Sequence, residues 1–186
     1  MGKRRKAKRL FCCWDGQFNK KFVLPFLLIL IYFSLFPGCS TQGKSPEGQL
    51  LRFSGCKNFS QDGSLVKENI SSAAEECAEY FYDGHGHLQL KHINAAFNCC
   101  PGNISADIII EPGEIIIKEK ESAAICDCNC LFDVDYEIIH LKPGVYRISV
   151  KNSYQPSDEP PLEFIVSLEE PTSDTFCVPR KKYPWS

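Results

Sequence analysis

The sequence predicts an all-β domain, an antiparallel β-sandwich of about seven strands stapled by disulfides. Three observations carry that reading. From residue 77 onward apolar side chains recur at every second position, the period of a strand with one buried and one wet face. Strand-like runs do not alternate with long helical ones, which excludes a βαβ architecture. Beyond residue 50 the chain carries eight cysteines, Cys56, Cys77, Cys99, Cys100, Cys126, Cys128, Cys130 and Cys177, an even number suited to four bridges in an oxidising compartment.

Taken in order, a short helix or turn is expected at 70–76, where Ser72 to Glu75 has the form of a capping box. A strand should follow, because Tyr80, Phe81 and Tyr82 precede an Asp83-Gly84 turn. Leu88 to Cys99 changes parity, Leu88, Leu90 and His92 giving way to Ile93, Ala95 and Phe97, which predicts a bulge near 92–94. Ile108-Ile109-Ile110 and Ile115-Ile116-Ile117 flank Glu111-Pro112-Gly113-Glu114 and read as a hairpin. Residues 126–139 form the clearest strand: Phe132, Val134, Tyr136 and Ile138 alternate with Asp133, Asp135 and Glu137. A Pro143-Gly144 turn leads to a strand over 145–151, and after the proline-rich loop 155–161 another covers Leu162 to Leu168.

Ahead of this domain lies an address. Residues 1–38 hold eight basic residues and one acid, Asp15, and Phe22 to Phe36 is a fifteen-residue run without charge. That is short of the roughly 20 residues a membrane-crossing helix needs and has the form of a secretory signal. Gly38-Cys39-Ser40 resembles the lipobox of bacterial lipoproteins, with Phe36 and Pro37 departing from its commoner residues. The resemblance implies a cut before Cys39 and acylation of its sulfur and new amino group by palmitate-class chains, enough for stable anchoring. Ser40 resembles residues compatible with outer-membrane sorting facing the periplasm. An uncleaved signal anchor and a cleaved soluble form are the alternatives. The expected organisation is therefore a signal peptide at 1–38, a lipidated tether at 39–50 and a cysteine-rich β-sandwich at 51–186.

Setting the leader apart changes the charge balance. The chain's 21 Lys+Arg and 23 Asp+Glu leave 13 basic and 22 acidic residues in 39–186, a net −9. Nucleic acid, whose phosphates demand the opposite sign, is excluded as a partner, and anionic lipid is disfavoured as a docking surface. A hydrophobic content of 44% excludes disorder for most of the domain.

Geometry constrains the cysteines. Residues i and i+2 on an extended strand lie about 6.5–7 Å apart, at the limit for a disulfide, so Cys126, Cys128 and Cys130 should not pair among themselves. Cys99 and Cys100 point to opposite faces and should take two partners from that trio. Cys177 would tie down the tail, and Cys56 and Cys77 would close the N-terminal segment. The sulfurs are expected to point inward and stitch the two sheets together. The competing reading is a thiolate site for zinc or copper. No Cys-x-x-Cys occurs, which removes the basic element of a thioredoxin-like role.

Asn98-Cys99-Cys100-Pro101, then Cys126-x-Cys128-x-Cys130-Leu131-Phe132-Asp133 and Leu141-x-x-Gly144-x-Tyr146, resemble a group of uncharacterised lipoproteins and secreted proteins of Bacteroidetes-type bacteria over roughly 76–151. The resemblance implies compartment and architecture and supplies no activity.

Other chemistry is sparse. His85 and His87 suggest a metal pair but sit in a turn-forming Gly-rich segment. Asp133, Asp135 and Glu137 share a wet face and could attract calcium, yet no gathering loop accompanies them. Asn58, Asn69 and Asn103 begin glycosylation sequons, meaningful in a eukaryotic source. Arg180-Lys181-Lys182 beside Tyr183 and Trp185 reads as a solvated basic tail. No nucleophile with a placeable base can be nominated, so no enzyme, catalytic residue, metal ligand or cofactor is expected. The expected function is a lipid-anchored cell-envelope protein with a structural or binding role toward protein or glycan. The alternative is a thiol-based zinc or copper carrier.

Overall fold

The structure is a computed structural model and describes residues 43–57, 74–181 and 184. The leader, Cys39, the sequons at Asn58 and Asn69, the start of the expected helix or turn at 70–73, and Lys182, Tyr183 and Trp185 lie outside the described residues. Nine strands and no helix are present among those described: β1 (Glu47–Phe53), β2 (Glu75–Tyr82), β3 (Leu88–Asn98), β4 (Ile104–Glu111), β5 (Glu114–Glu121), β6 (Asn129–Ile139), β7 (Val145–Lys151), β8 (Leu162–Ser167) and β9 (Thr172–Pro179).

They form two sheets, one of order β1-β6-β3-β2-β9 and one of order β4-β5-β7-β8. The first is antiparallel throughout, and in the second β5 and β7 run parallel. That parallel pair follows from the chain path, because the intervening β6 crosses to the other sheet. Facing side chains of both sheets meet in one core that includes Tyr82, Leu88, Phe97, Ile115, Ile117, Tyr136, Ile148 and Leu162. The period-two patterns in the sequence therefore mark the inner faces of a sandwich.

The bulge is where the parity change places it. Pairing of β3 with β6 shifts between Ile93 and Ala95, and Asn94 adopts a left-handed backbone at φ 66°. This lets His92 and Ala95 face the core on either side of one extra residue. The β4–β5 hairpin is also as expected, with Gly113 at φ 79° in a two-residue turn.

Four boundaries differ from the sequence reading, the first being that β2 begins at Glu75, within the segment expected as a helix or turn at 70–76. β1 begins at Glu47, inside the segment read as tether. It escapes a pattern search because only Leu50 is even partly buried, and its backbone pairing with β6 is what holds it. Gly48 allows the close approach to β4, since a Cβ there would lie 2.6 Å from Ile108 Cγ2. β9 is likewise absent from the sequence reading, its only fully buried strand residue being Val178. The strand expected from Cys126 starts at Asn129, and Cys126 to Cys128 forms an irregular lead-in.

All eight cysteines of the domain pair: Cys56–Cys130, Cys77–Cys177, Cys99–Cys128 and Cys100–Cys126. Cys99 and Cys100 do reach two of the 126/128/130 trio. Cys56 and Cys77 do not close a segment together, because Cys77 stands opposite Cys177 in the β2–β9 ladder. Cys130 does lie in the core as expected, but the expected stitching of the two sheets by sulfur fails. Every bridge joins neighbouring strands of the five-stranded sheet or the segments running into them, and none crosses the core.

Candidate functional site

What crosses the core is charge. His92 of β3 is fully buried, with Nδ1 2.7 Å from Glu119 Oε1 of β5 and Nε2 2.7 Å from Glu76 Oε1 of β2. Tyr136 of β6 donates its hydroxyl to Glu119 Oε1 at 2.6 Å, and Asn152 Nδ2 donates to Glu119 Oε2 at 2.9 Å. On the far side Arg180 grips Glu76 Oε2 through Nε at 2.6 Å and through Nη2, and its Nη1 donates to the Pro160 carbonyl at 2.7 Å. The chain Arg180–Glu76–His92–Glu119 thus runs from the edge of one sheet into the other.

Its electrostatics follow from the donors available. Ionised carboxylates only accept hydrogen bonds, so an imidazole between two of them donates from both nitrogens and is an imidazolium. Burial by itself would lower the His92 pKa, but the charge and hydrogen bond of Glu119, with those of Glu76, push it up to about 10. Burial likewise works to raise Glu76, and the hydrogen bond and charge of His92 together with Arg180 hold it below the usual carboxylate range. Desolvation, then the charge of Glu119, raises Tyr136. An imidazolium with both N–H groups committed has no lone pair free to act as a base, and the cluster ties one sheet to the other.

Sequence reasoning meets His92 only as a parity marker and passes over Glu76 and Glu119. One signal was available: the inward positions of β5, Ile115, Ile117 and Glu119, place an acid on the apolar face. The basic tail reading is corrected at Arg180, whose side chain is enclosed by Glu76 and by Glu159, with Glu159 Oε2 3.6 Å from Nη1.

The paired cysteines are organised around Asn98, itself buried. Its Oδ1 accepts from the backbone of Cys100 at 2.9 Å and of Cys126 at 3.2 Å, and its Nδ2 donates to the Cys126 carbonyl at 2.6 Å. One amide therefore links the two segments that bear the adjacent Cys99–Cys128 and Cys100–Cys126 bridges. Beside the bulge, Lys57 Nζ donates to Asn94 Oδ1 at 2.8 Å and pairs with Asp133.

Other sequence candidates separate. Asp83 closes its turn by accepting from the backbones of His85 at 2.7 Å and His87 at 3.1 Å, while the His87 ring lies 2.8 Å from Glu137. The two histidines are thus not brought together as a metal pair. Asp133, Asp135 and Glu137 each meet their own partner: Lys57, Arg52 at 2.5 Å, and Gln49 at 2.9 Å. They do not converge on one point as a calcium site requires.

Surface hollows remain, three of which are lined by described residues. On the outer face of the five-stranded sheet a row of opposed residues runs Arg52, Asp135, Lys91, Glu79. With half-exposed Leu51 and Phe81 it lines a depression of about 520 Å³. A hollow of about 550 Å³ near loop 155–161 is lined by Ser149, Gln155 and two residues that contact the buried network, Asn152 and Glu159. A third, of about 440 Å³, lies at the end where β1 begins. Comparison with protein-family models, curated proteins and solved structures finds no match for this chain.

Proposed function

We propose that this chain is a lipid-anchored cell-envelope protein whose β-sandwich has a structural or binding role. The observation that carries the reading is the pairing of all eight domain cysteines, which fits folding in an oxidising compartment. Joined to the fifteen-residue apolar run and Cys39, it supports export followed by acylation, at the outer membrane on its periplasmic side. The ligand class is protein or glycan, met by loops and the outer sheet face. Two tests bear on this. Cys39→Ala should move the protein from the membrane to the soluble fraction, and retention of the variant in membranes would instead support a signal anchor. In intact cells an external protease should leave the domain uncut until the outer membrane is permeabilised.

The zinc or copper alternative needs free thiolates. Glu75 sets a carboxylate near the Cys77 and Cys177 sulfurs, but a disulfide offers no thiolate. Intact mass under non-reducing conditions separates the two readings: a value eight hydrogens below the reduced chain supports four bridges, and free thiols with stoichiometric metal would reverse the order.

A further inference from the structure

The hollow at the start of β1 has a position that the tether dictates. Pro46 forms part of its wall, with Ile110, Pro112, Pro143, Val145 and Tyr146 from the β4–β5 and β6–β7 turns. Val145 is 56% exposed. Only six residues lie between Cys39 and Pro46, a reach of at most about 25 Å for extended chain. If Cys39 carries acyl chains, as the proposed function holds, this end of the sandwich cannot leave the neighbourhood of the bilayer.

The geometry points to this apolar end as a lipid-contact surface, seated in the headgroup layer beside its own anchor. Exposed Lys142 and the carboxylate-bearing Glu111 both line the hollow, a mixed rim that suits zwitterionic rather than anionic headgroups. The patch is small, so it would hold little without the anchor. A tether this short supplies an effective concentration on the order of millimolar, enough to keep a weak contact engaged. The consequence is orientation. The end carrying Cys99, Cys100, Cys126 and Cys128, separated from Val145 by the length of β6 or roughly 33 Å, projects away from the membrane.

The test places single tryptophans on the acylated chain that begins at Cys39, in a Trp185→Phe background. Val145→Trp and Lys142→Trp report the hollow, and Ile125→Trp, at a position 77% exposed, reports the opposite end. The chains are reconstituted in phosphatidylcholine vesicles with and without brominated acyl chains, and folding is checked by the non-reducing mass. Tryptophan at 145 and at 142 should be quenched at least threefold more than at 125. Equal quenching, or stronger quenching at 125, overturns the proposal. So does a blue-shifted tryptophan at 145 that brominated lipid leaves untouched, which would assign the hollow to a protein segment. Flotation with the vesicles reports the anchor separately: a floating protein with no quenching at 145 removes the contact surface and leaves the anchor standing, whereas failure to float removes both.

Discussion

His92 Nδ1 lies 2.7 Å from Glu119 Oε1, and that bond joins the middle of one sheet to the other. Both side chains are buried and both have further partners, Glu76 for the histidine and Tyr136 and Asn152 for the glutamate. Breaking a buried ion pair from one side leaves the other charge stranded, at a cost of about 3–5 kcal/mol. His92→Gln and Glu119→Gln should each lower stability by about that much, read from urea midpoints. The double variant should lose clearly less than the sum, because the two changes remove one shared interaction. Strict additivity would mean that the pair is not coupled.

Stability should vary with pH in a window set by the same groups. His92 is raised in the folded protein from an ordinary value of 6.5 to about 10, so its contribution is complete below pH 6.5 and is lost as the pH rises toward 10. Glu76 is lowered from 4.5, so its contribution is present above that value and fades as the pH falls through its folded pKa. Stability should therefore peak between about pH 4.5 and 6.5 and fall by a few kcal/mol on the alkaline side, since each tenfold gain in proton affinity on folding is worth about 1.4 kcal/mol. His92→Gln should flatten the alkaline limb of thermal melts. An unchanged slope would place its origin elsewhere.

The disulfides differ in the loops they close. Cys77–Cys177 spans 100 residues and Cys100–Cys126 spans 26, so chain entropy assigns them about 4.7 and 3.5 kcal/mol. Removing the first by Cys77→Ala with Cys177→Ala should cost more than removing the second in the same manner, measured by denaturant unfolding. Peptide mapping without reduction should recover the four pairs seen here. Recovery of a Cys56–Cys77 peptide would refute the strand order, because those residues belong to opposite halves of the five-stranded sheet.

At the bulge, Asn94 combines a left-handed backbone with hydrogen bonds to Lys57 and to the Glu75 carbonyl. Asn94→Ala loses the bonds and keeps a side chain where φ is positive. Asn94→Gly loses the bonds and relieves the backbone, and it should be the milder change by about 1 kcal/mol. The order of the two melting temperatures checks this, and the reverse order would count against the register shift.

The strands legible in the sequence are those with one face in the core. From β2 to β8, alternation such as Val134, Tyr136 and Ile138 against Asp135 and Glu137 records burial directly. β1 and β9 are the two outer strands of the larger sheet, where mainly the backbone is constrained, so Gly48 or Thr175 leaves no periodic trace. The network was hidden for another reason. Glu76 and Arg180 are 104 residues apart, and a buried acid becomes intelligible only once the base that neutralises it is seen beside it.

The Cys56–Cys130 bridge sets a mechanical limit. A pull through the N-terminus would enter at Glu47 and unzip β1 from β6 one rung at a time, beginning at Ile139. The tear should stop at Cys56, where sulfur fastens the strand's far end to the start of β6. In a single-molecule stretch the oxidised protein should yield a few nanometres of slack and then hold, and reducing agent should let the rip run on.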